Sequence, residues 1–306
     1  MRVLVTGGSG MLGRAVTSSL NDANFEVLNP NRSELDLEDR LKTKSYLKNH
    51  KPEVIVHCAA FVGGISANIS HPLDFLQKNL NIDQNIFIAA TEVKVDKFLY
   101  MGSSCMYPKD RDTPMTESDI LSGNLEPTNE GYALAKIVGW KNIQLISESL
   151  TWRTFILSNL YGPHDHFESS RSHLLAAVID KVHKGMQENS LELEMWGSGD
   201  ARREFTFVSD VADYIVEVIP NLEKIPVTLN VGAGIDYSVK EYYQMVCDAF
   251  NFQAKVIPNL RKPEGMKRKL MDVSKAREHG WVPKTEIKNG IKTTMEWYLN
   301  NEMRQK

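Results

Sequence analysis

Short apolar runs alternate along the chain with longer stretches whose apolar positions recur at helical spacing. The runs Val3–Thr6, Phe25–Leu28, Val54–His57, Phe98–Met101, Thr154–Leu157 and Leu229–Val231 predict strands. The amphipathic stretches Leu12–Leu20, Arg40–Lys48, Pro72–Val93, Tyr132–Ser147 and Val239–Phe250 predict helices. Strand and helix in this rhythm form βαβ units, so the expected fold is α/β, a Rossmann-type doubly wound parallel sheet. Past Tyr161 the rhythm weakens. Residues 162–200 and 258–269 read as insertions that leave the sheet and build a smaller C-terminal α/β substrate lobe. The expected division is a dinucleotide-binding domain over 1–160, rejoined by roughly 204–240, and a substrate lobe made mainly of 161–306.

A chain of 306 residues buries a core without disulfides or metals. Its formal charge of −3 is spread along the sequence and gives no reason to expect nucleic acid or a membrane surface as partner. The basic run Arg261–Lys269 is a local exception that could meet a phosphate. No apolar run approaches the roughly 18 residues that span a bilayer, and the N-terminal MRVLVTGG enters a strand directly, unlike a signal peptide. Cys58, Cys105 and Cys247 have no CxxC spacing, so neither a disulfide framework nor a metal site is expected, and a reducing cytoplasm suits the chain.

Directly after the first strand stands Gly7-Gly8-Ser9-Gly10-Met11-Leu12-Gly13, opening a helix. Gly7 permits the turn, Gly10 lets backbone approach a pyrophosphate, and Gly13 allows helix and strand to pack closely, with the helix N-terminus facing the phosphates. No Gly-Lys-Ser/Thr follows, which excludes a P-loop. The second strand ends at Leu28-Asn29 without the acid that holds a free ribose 2′-hydroxyl, and Arg32 follows. That favours NADP(H) over NAD, because an arginine attracts a 2′-phosphate and an acid repels it.

Tyr132 and Lys136 are four apart in a helical stretch and so share one face. A phenol with a pKa of about 10 is a poor acid–base at neutral pH, and a neighbouring ammonium is expected to bring it down. Ser103, ending the strand that begins at Phe98, could hydrogen-bond a substrate carbonyl.

With these features in place the chain resembles the extended short-chain dehydrogenase/reductase family. Within it the closer likeness is to the GDP-4-keto-6-deoxy-D-mannose epimerase/reductases, the GDP-L-fucose synthases. The matching stretches are VGGISAN (62–68), GSSCMYP (102–108), MTESDILSGNLEPTNEGYALAKI (115–137), NLYGPHDHF (159–167), WGSGDARREF (196–205) and KPEGMKRKLMDV (262–273). The resemblance implies that Ser103, Tyr132 and Lys136 are a reductase triad. It implies that Met101, Gly102, Ser103 and Ser104, with Leu157, Ser158, Asn159 and Leu160, line the nicotinamide of NADP(H), which Lys136 and His173 also touch. Trp196, Arg203 and Asp272 fall where the family holds guanosine diphosphate, and Lys181 stands where an arginine would clasp the substrate phosphate. Cys105 and His173 match the pair that inverts C3 and C5 of the keto sugar. Sugar-nucleotide dehydratases carry Asp-Glu where Cys105-Met106 stands here, so dehydration is not expected.

The implied activity is NADPH-dependent 3,5-epimerisation and 4-reduction of a GDP-linked 4-keto-6-deoxy sugar, most simply GDP-4-keto-6-deoxy-D-mannose to GDP-L-fucose. A GDP-4-keto heptose or dideoxy sugar is the alternative substrate, and a C4 reductase without epimerase activity the alternative chemistry. A non-catalytic dinucleotide-binding regulator is a more remote possibility. The resemblance also implies a homodimer formed through two helices of each subunit.

Overall fold

Every one of the strands expected from the apolar runs lies in a single parallel sheet of the computed structural model, which describes residues 1–168, 172–262 and 264–305. In chain order the strands are β1 (Arg2–Thr6), β2 (Glu26–Leu28), β3 (Val54–His57), β4 (Lys97–Ser103), β5 (Thr151–Leu157), β6 (Asn159–Tyr161), β7 (Glu192–Trp196), β8 (Arg202–Phe207), β9 (Thr228–Val231), β10 (Asp236–Ser238), β11 (Lys255–Asn259) and β12 (Arg268–Lys269). The α-helices are α1 (Met11–Asp22), α2 (Arg40–His50), α3 (Ile65–Ser70), α4 (Pro72–Glu92) and α5 (Glu130–Ile146). They continue with α6 (Leu174–Gln187), α7 (Val208–Val218), α8 (Val239–Ala249), α9 (Ser274–Glu278) and α10 (Ile287–Gln305).

The large sheet runs β2-β1-β3-β4-β5-β9. After β2 the chain passes back over β1 to reach β3, so the strand order reverses between β1 and β3. A crevice forms at such a switch point, at the carboxyl ends of the strands. Successive residues of a strand face opposite sides. Val3, Val5, Val54, Val56, Leu99 and Met101 pack towards α1 and α7. Leu4, Ile55, Phe98, Tyr100 and Trp152 pack towards α2, α4 and α5. Burial of both faces is why these strands read as continuous apolar runs.

A second core lies outside this sheet. The parallel pair β7–β11 and helices α6, α8 and α10 enclose Val178, Ile179, Val182, Tyr242, Val246 and Tyr298. Between the cores stands a small sheet in which β8 pairs with β6, β10 and β12. The chain crosses between cores more often than its pattern suggests. Helix α7 and β9 pack on the first core, β8 and α8 contribute to the second, and Met271, Val273, Ala276 and Trp281 return to the first.

Trp152 stacks on Phe98 with ring centres 4.6 Å apart, and its Nε1 donates to the Val95 carbonyl at 3.0 Å. It is fully buried. Trp152→Ala is expected to destabilise the protein by about 3–5 kcal/mol, the cost of emptying a large aromatic site, as measured by urea unfolding.

Candidate active site

The glycine turn sits at the switch point. Gly7 has φ +69°, and the Gly10 amide donates to the Gly7 carbonyl at 2.9 Å, closing the loop between β1 and α1. A Cβ on Gly13 would lie 2.2 Å from that carbonyl, so α1 rests directly on the turn. A Cβ on Gly10 would meet only the same carbonyl, at 3.4 Å, and the outer side of the turn is open. Gly10 is also the N-cap of α1 and gives it no side-chain cap, leaving the first helical N–H groups of Met11, Leu12 and Gly13 for an anion. These residues fit a pyrophosphate. Arg32 is exposed on the loop after β2, where Glu38 and, at 3.8 Å, Asp36 hold its guanidinium. A 2′-phosphate at Arg32 would have to displace both carboxylates.

Strands β4 and β5 pair Ser103 with Leu157, so Met101–Ser104 and Leu157–Leu160 emerge side by side at the carboxyl edge of the sheet. Helix α5 starts beside them. Burial first, then the nearby Cys105 and Asp83, raise the Tyr132 phenol above the ordinary value, against a smaller opposing pull from Ser103. This reverses the expectation that Lys136 would bring it down: at neutral pH the phenol carries its proton. Lys136 is 1 % exposed. Burial lowers its pKa, and the Asp83 carboxylate 4.0 Å away opposes that.

Cys105 lies in the short turn after Ser103. Its sulfur accepts N–H groups from Asn129 at 3.1 Å and Lys269 at 3.3 Å. His173 is the N-cap residue of α6 and faces the same space from the second lobe. The residue is exposed, yet the protein packed around its ring, then Lys269 and His166, pull its pKa to about 4. The imidazole is therefore neutral at neutral pH.

A second group gathers at the outer end of the small lobe. Trp196 is 39 % exposed, with the Lys262 ammonium 5.0 Å above its ring. Lys181 donates to the Glu194 carbonyl at 2.7 Å, and burial and Lys262 lower its pKa. Arg203 donates to the Glu264 carbonyl at 3.0 Å, and the Glu264 carboxylate accepts from the Ser198 amide at 3.2 Å. The Asp272 carboxylate accepts the amide and hydroxyl of Ser274, at 2.8 and 2.6 Å, at the start of α9. Glu264 is a further acid that the fold brings to Arg203.

Residues 3–232 match the model of the NAD dependent epimerase/dehydratase family. The chain belongs to that family. It is 41 % identical over 305 residues to a GDP-L-colitose synthase of Yersinia pseudotuberculosis, covering 99 % of each chain. It is 40 % identical over 300 residues to a GDP-L-fucose synthase of Azorhizobium caulinodans, covering 97 % of this chain and 96 % of that one. A GDP-mannoheptose C4 reductase of Campylobacter jejuni, solved with NADP bound, superposes with a TM-score of 0.87 at 30 % identity, over 97 % of this chain and 98 % of that one.

Within this epimerase/dehydratase fold, several residues at the site escape a reading of motifs. Asn129, Glu264 and Lys269 stand inside stretches that carry the family likeness, but no spacing marks them as neighbours of Cys105 or Arg203. Asp83 has a signal of its own: it is an acid on the face of α4 that also bears the buried Phe75, Asn79, Ile86 and Phe87. Removing the positive charge of Lys269 should raise the pKa of His173. In Lys269→Met the His173 ring resonance, followed by NMR against pH, is expected to titrate at higher pH than in the parent protein; an unmoved titration refutes the pairing.

Proposed function

We propose that this chain is an NADP(H)-dependent 3,5-epimerase and 4-reductase of a GDP-linked 4-keto-6-deoxy sugar, converting GDP-4-keto-6-deoxy-D-mannose to GDP-L-fucose. The observation that carries the reading is that two acid–base sets, Ser103–Tyr132–Lys136 and Cys105–His173 with Asn129 and Lys269, open on one cleft. The 40 % identity to a GDP-L-fucose synthase over nearly the whole chain supports it. NADP(H) is supported by the open, uncapped glycine turn and by the related reductase solved with NADP. Met101–Ser104, Leu157–Leu160, Lys136 and His173 would flank the nicotinamide, and Lys181, Trp196, Arg203 and Asp272 would hold the GDP, with Glu264 beside Arg203.

Hydrogens on C3 and C5 lie beside the 4-keto group and are acidic when the enolate oxygen is stabilised. Cys105, with its proton given up and its charge shared with Lys269 and Asn129, removes a hydrogen from one face. Neutral His173 can take up a proton and return it readily from the other. Ser103 and Tyr132 hold the C4 oxygen. The bound cofactor supplies hydride to C4, and Tyr132, protonated at neutral pH, gives the oxygen its proton beside the Lys136 ammonium.

A second product is favoured by the relative of 41 % identity named for GDP-L-colitose. One assay separates the two. Incubated with NADPH and GDP-4-keto-6-deoxy-D-mannose in deuterated water, the protein should form GDP-L-fucose deuterated at C3 and C5, read by NMR. NADPH consumption without deuterium at either carbon refutes the epimerase half, and no consumption on this sugar shifts the assignment to the second product. Tyr132→Phe should slow NADPH oxidation by about 10²-fold or more while exchange continues, and Cys105→Ser should do the reverse. Full reduction by Tyr132→Phe would refute its role.

The proposal extends to a homodimer. Leu134, Val138 and Leu145 stand on one face of α5 at 39, 41 and 63 % exposure, with Leu73 of α4 also exposed. A charge in that face, Val138→Glu, should turn a sedimenting dimer into monomers; a parent protein that sediments as a monomer refutes the arrangement.

A further inference from the structure

Behind Lys136 a buried polar chain leads away from the cleft. The Lys136 ammonium lies 4.0 Å from the Asp83 carboxylate and 4.5 Å from the centre of the Tyr100 ring. Asp83 is 1 % exposed. The Tyr100 hydroxyl donates to its Oδ2 at 2.5 Å, and His57 Nε2 is 3.0 Å from its Oδ1. On the other side of the imidazole, Nδ1 is 2.7 Å from Thr6 Oγ1, which accepts from the Ala59 amide at 3.3 Å.

The carboxylate end and the neutral ring settle the directions. An ionised carboxylate only accepts, so the ring proton sits on Nε2, facing Asp83. With that proton the only one on the ring, Nδ1 accepts the hydroxyl proton of Thr6. The chain is complete with one neutral imidazole, one carboxylate and one ammonium. Burial lowers the pKa of His57, in keeping with a neutral ring. Burial acts to raise Asp83, but Lys136, His57 and Tyr100 outweigh it and hold the carboxyl below its usual range. The titratable groups around Lys136 are Asp83 from α4, His57 and Cys58 at the end of β3, and Tyr100 from β4, with Tyr132 one turn earlier on its own helix. Burial pushes the Cys58 thiol to about 12 and raises both phenols. Of this set, Asp83 alone carries negative charge at neutral pH.

We propose that Asp83 is the counter-ion of Lys136, a positioning residue that keeps the lysine an ammonium and holds it against Tyr132, while Thr6, His57 and Tyr100 fix the carboxylate from behind. An ammonium with 1 % exposure and no carboxylate would shed its proton, because neither water nor the Tyr100 ring replaces lost hydration. The kinetic consequence rests on the reductase reading above; the charge assignment does not.

Asp83→Asn should lower kcat for NADPH oxidation on the order of 10²-fold at neutral pH and leave KM for the sugar nucleotide unchanged. The basic limb of its kcat–pH profile should move to lower pH, since an unpaired buried ammonium deprotonates more easily. Asp83→Glu, which keeps the charge, should restore most of the limb. Nitrogen NMR of lysine-labelled protein, with Lys136 assigned through Lys136→Met, should show an ammonium at pH 7 in the parent and an amine in Asp83→Asn. An ammonium retained in Asp83→Asn, or an unmoved basic limb, overturns the proposal. Failure to turn over any keto sugar nucleotide, with the NMR result as expected, would remove the functional reading and leave the counter-ion assignment standing. Should Asp83→Asn not fold, the double variant Asp83→Asn/Lys136→Met must melt above Lys136→Met alone, which strands a buried carboxylate; no gain in the double variant overturns the assignment.

Discussion

Lys136 carries its ammonium where water hardly reaches, and the Asp83 carboxylate 4.0 Å away offsets the hydration it has lost. The two come from different helices, so α5 and α4 must meet the sheet in one relative placement. Gly139, one helical turn beyond Lys136, secures part of that. A Cβ there would fall 2.3 Å from the Tyr100 hydroxyl oxygen, so only glycine lets α5 settle onto β4 while Tyr100 reaches Asp83. His57 belongs to β3 and Thr6 to β1, in register as neighbours. The polar chain thus joins three adjacent strands and two helices, and the β1 strand that it reaches ends in the glycine turn. Stability, cofactor loop and acid–base group share one piece of packing.

Proton chemistry in the cleft depends on charges that act on each other. Tyr132 is held above the ordinary phenol range by burial first, then by Cys105 and Asp83. On the proposed reaction, the phenol therefore enters the reduction step with its proton in place. Lys269 touches the Cys105 sulfur and, with the surrounding protein, drives charge off His173. One cation thus stands between the two groups proposed to exchange protons with the sugar.

The first lobe was legible in the sequence because its strands are buried on both faces and its helices on one. Those patterns survive in a linear chain, and β1, β3 and α4 fell within a residue or two of their bounds. Helix α6 carried an equally clear apolar stripe, Leu175, Val178, Ile179 and Val182, yet was absorbed into a supposed insertion because no strand follows it into the large sheet. Strands β6, β10 and β12, of two or three residues, have no period to read. At the proposed site, Ser103 and Tyr132 stand out by local spacing and Cys105 by the family likeness, whereas Asp83 shows only through its place on the buried face of α4. Glu264 escapes for a similar reason. It stands in one stretch with Asp272, but the chain turns at Gly265, φ +71°, laying Glu264 against β8 and carrying Asp272 past β12 to the start of α9.

On the proposed function, that short β12 would also couple binding and chemistry across the lobes. Lys269 is the register partner of Arg203 in the parallel pair of β12 and β8. Arg203 turns to Glu264 and the exposed Trp196 end of the small lobe, where the nucleotide is proposed to bind, and Lys269 turns to the Cys105 sulfur. A diphosphate gripped by Arg203 would restrain the strand pair that places Lys269. Binding energy from a part of the substrate that does not react is then used to orient the part that does. A keto sugar lacking the nucleotide would meet the same acid–base groups, but on a strand pair left free to shift. On the proposed function, recognition of the nucleotide and the placing of Lys269 at the thiol depend on one strand pairing.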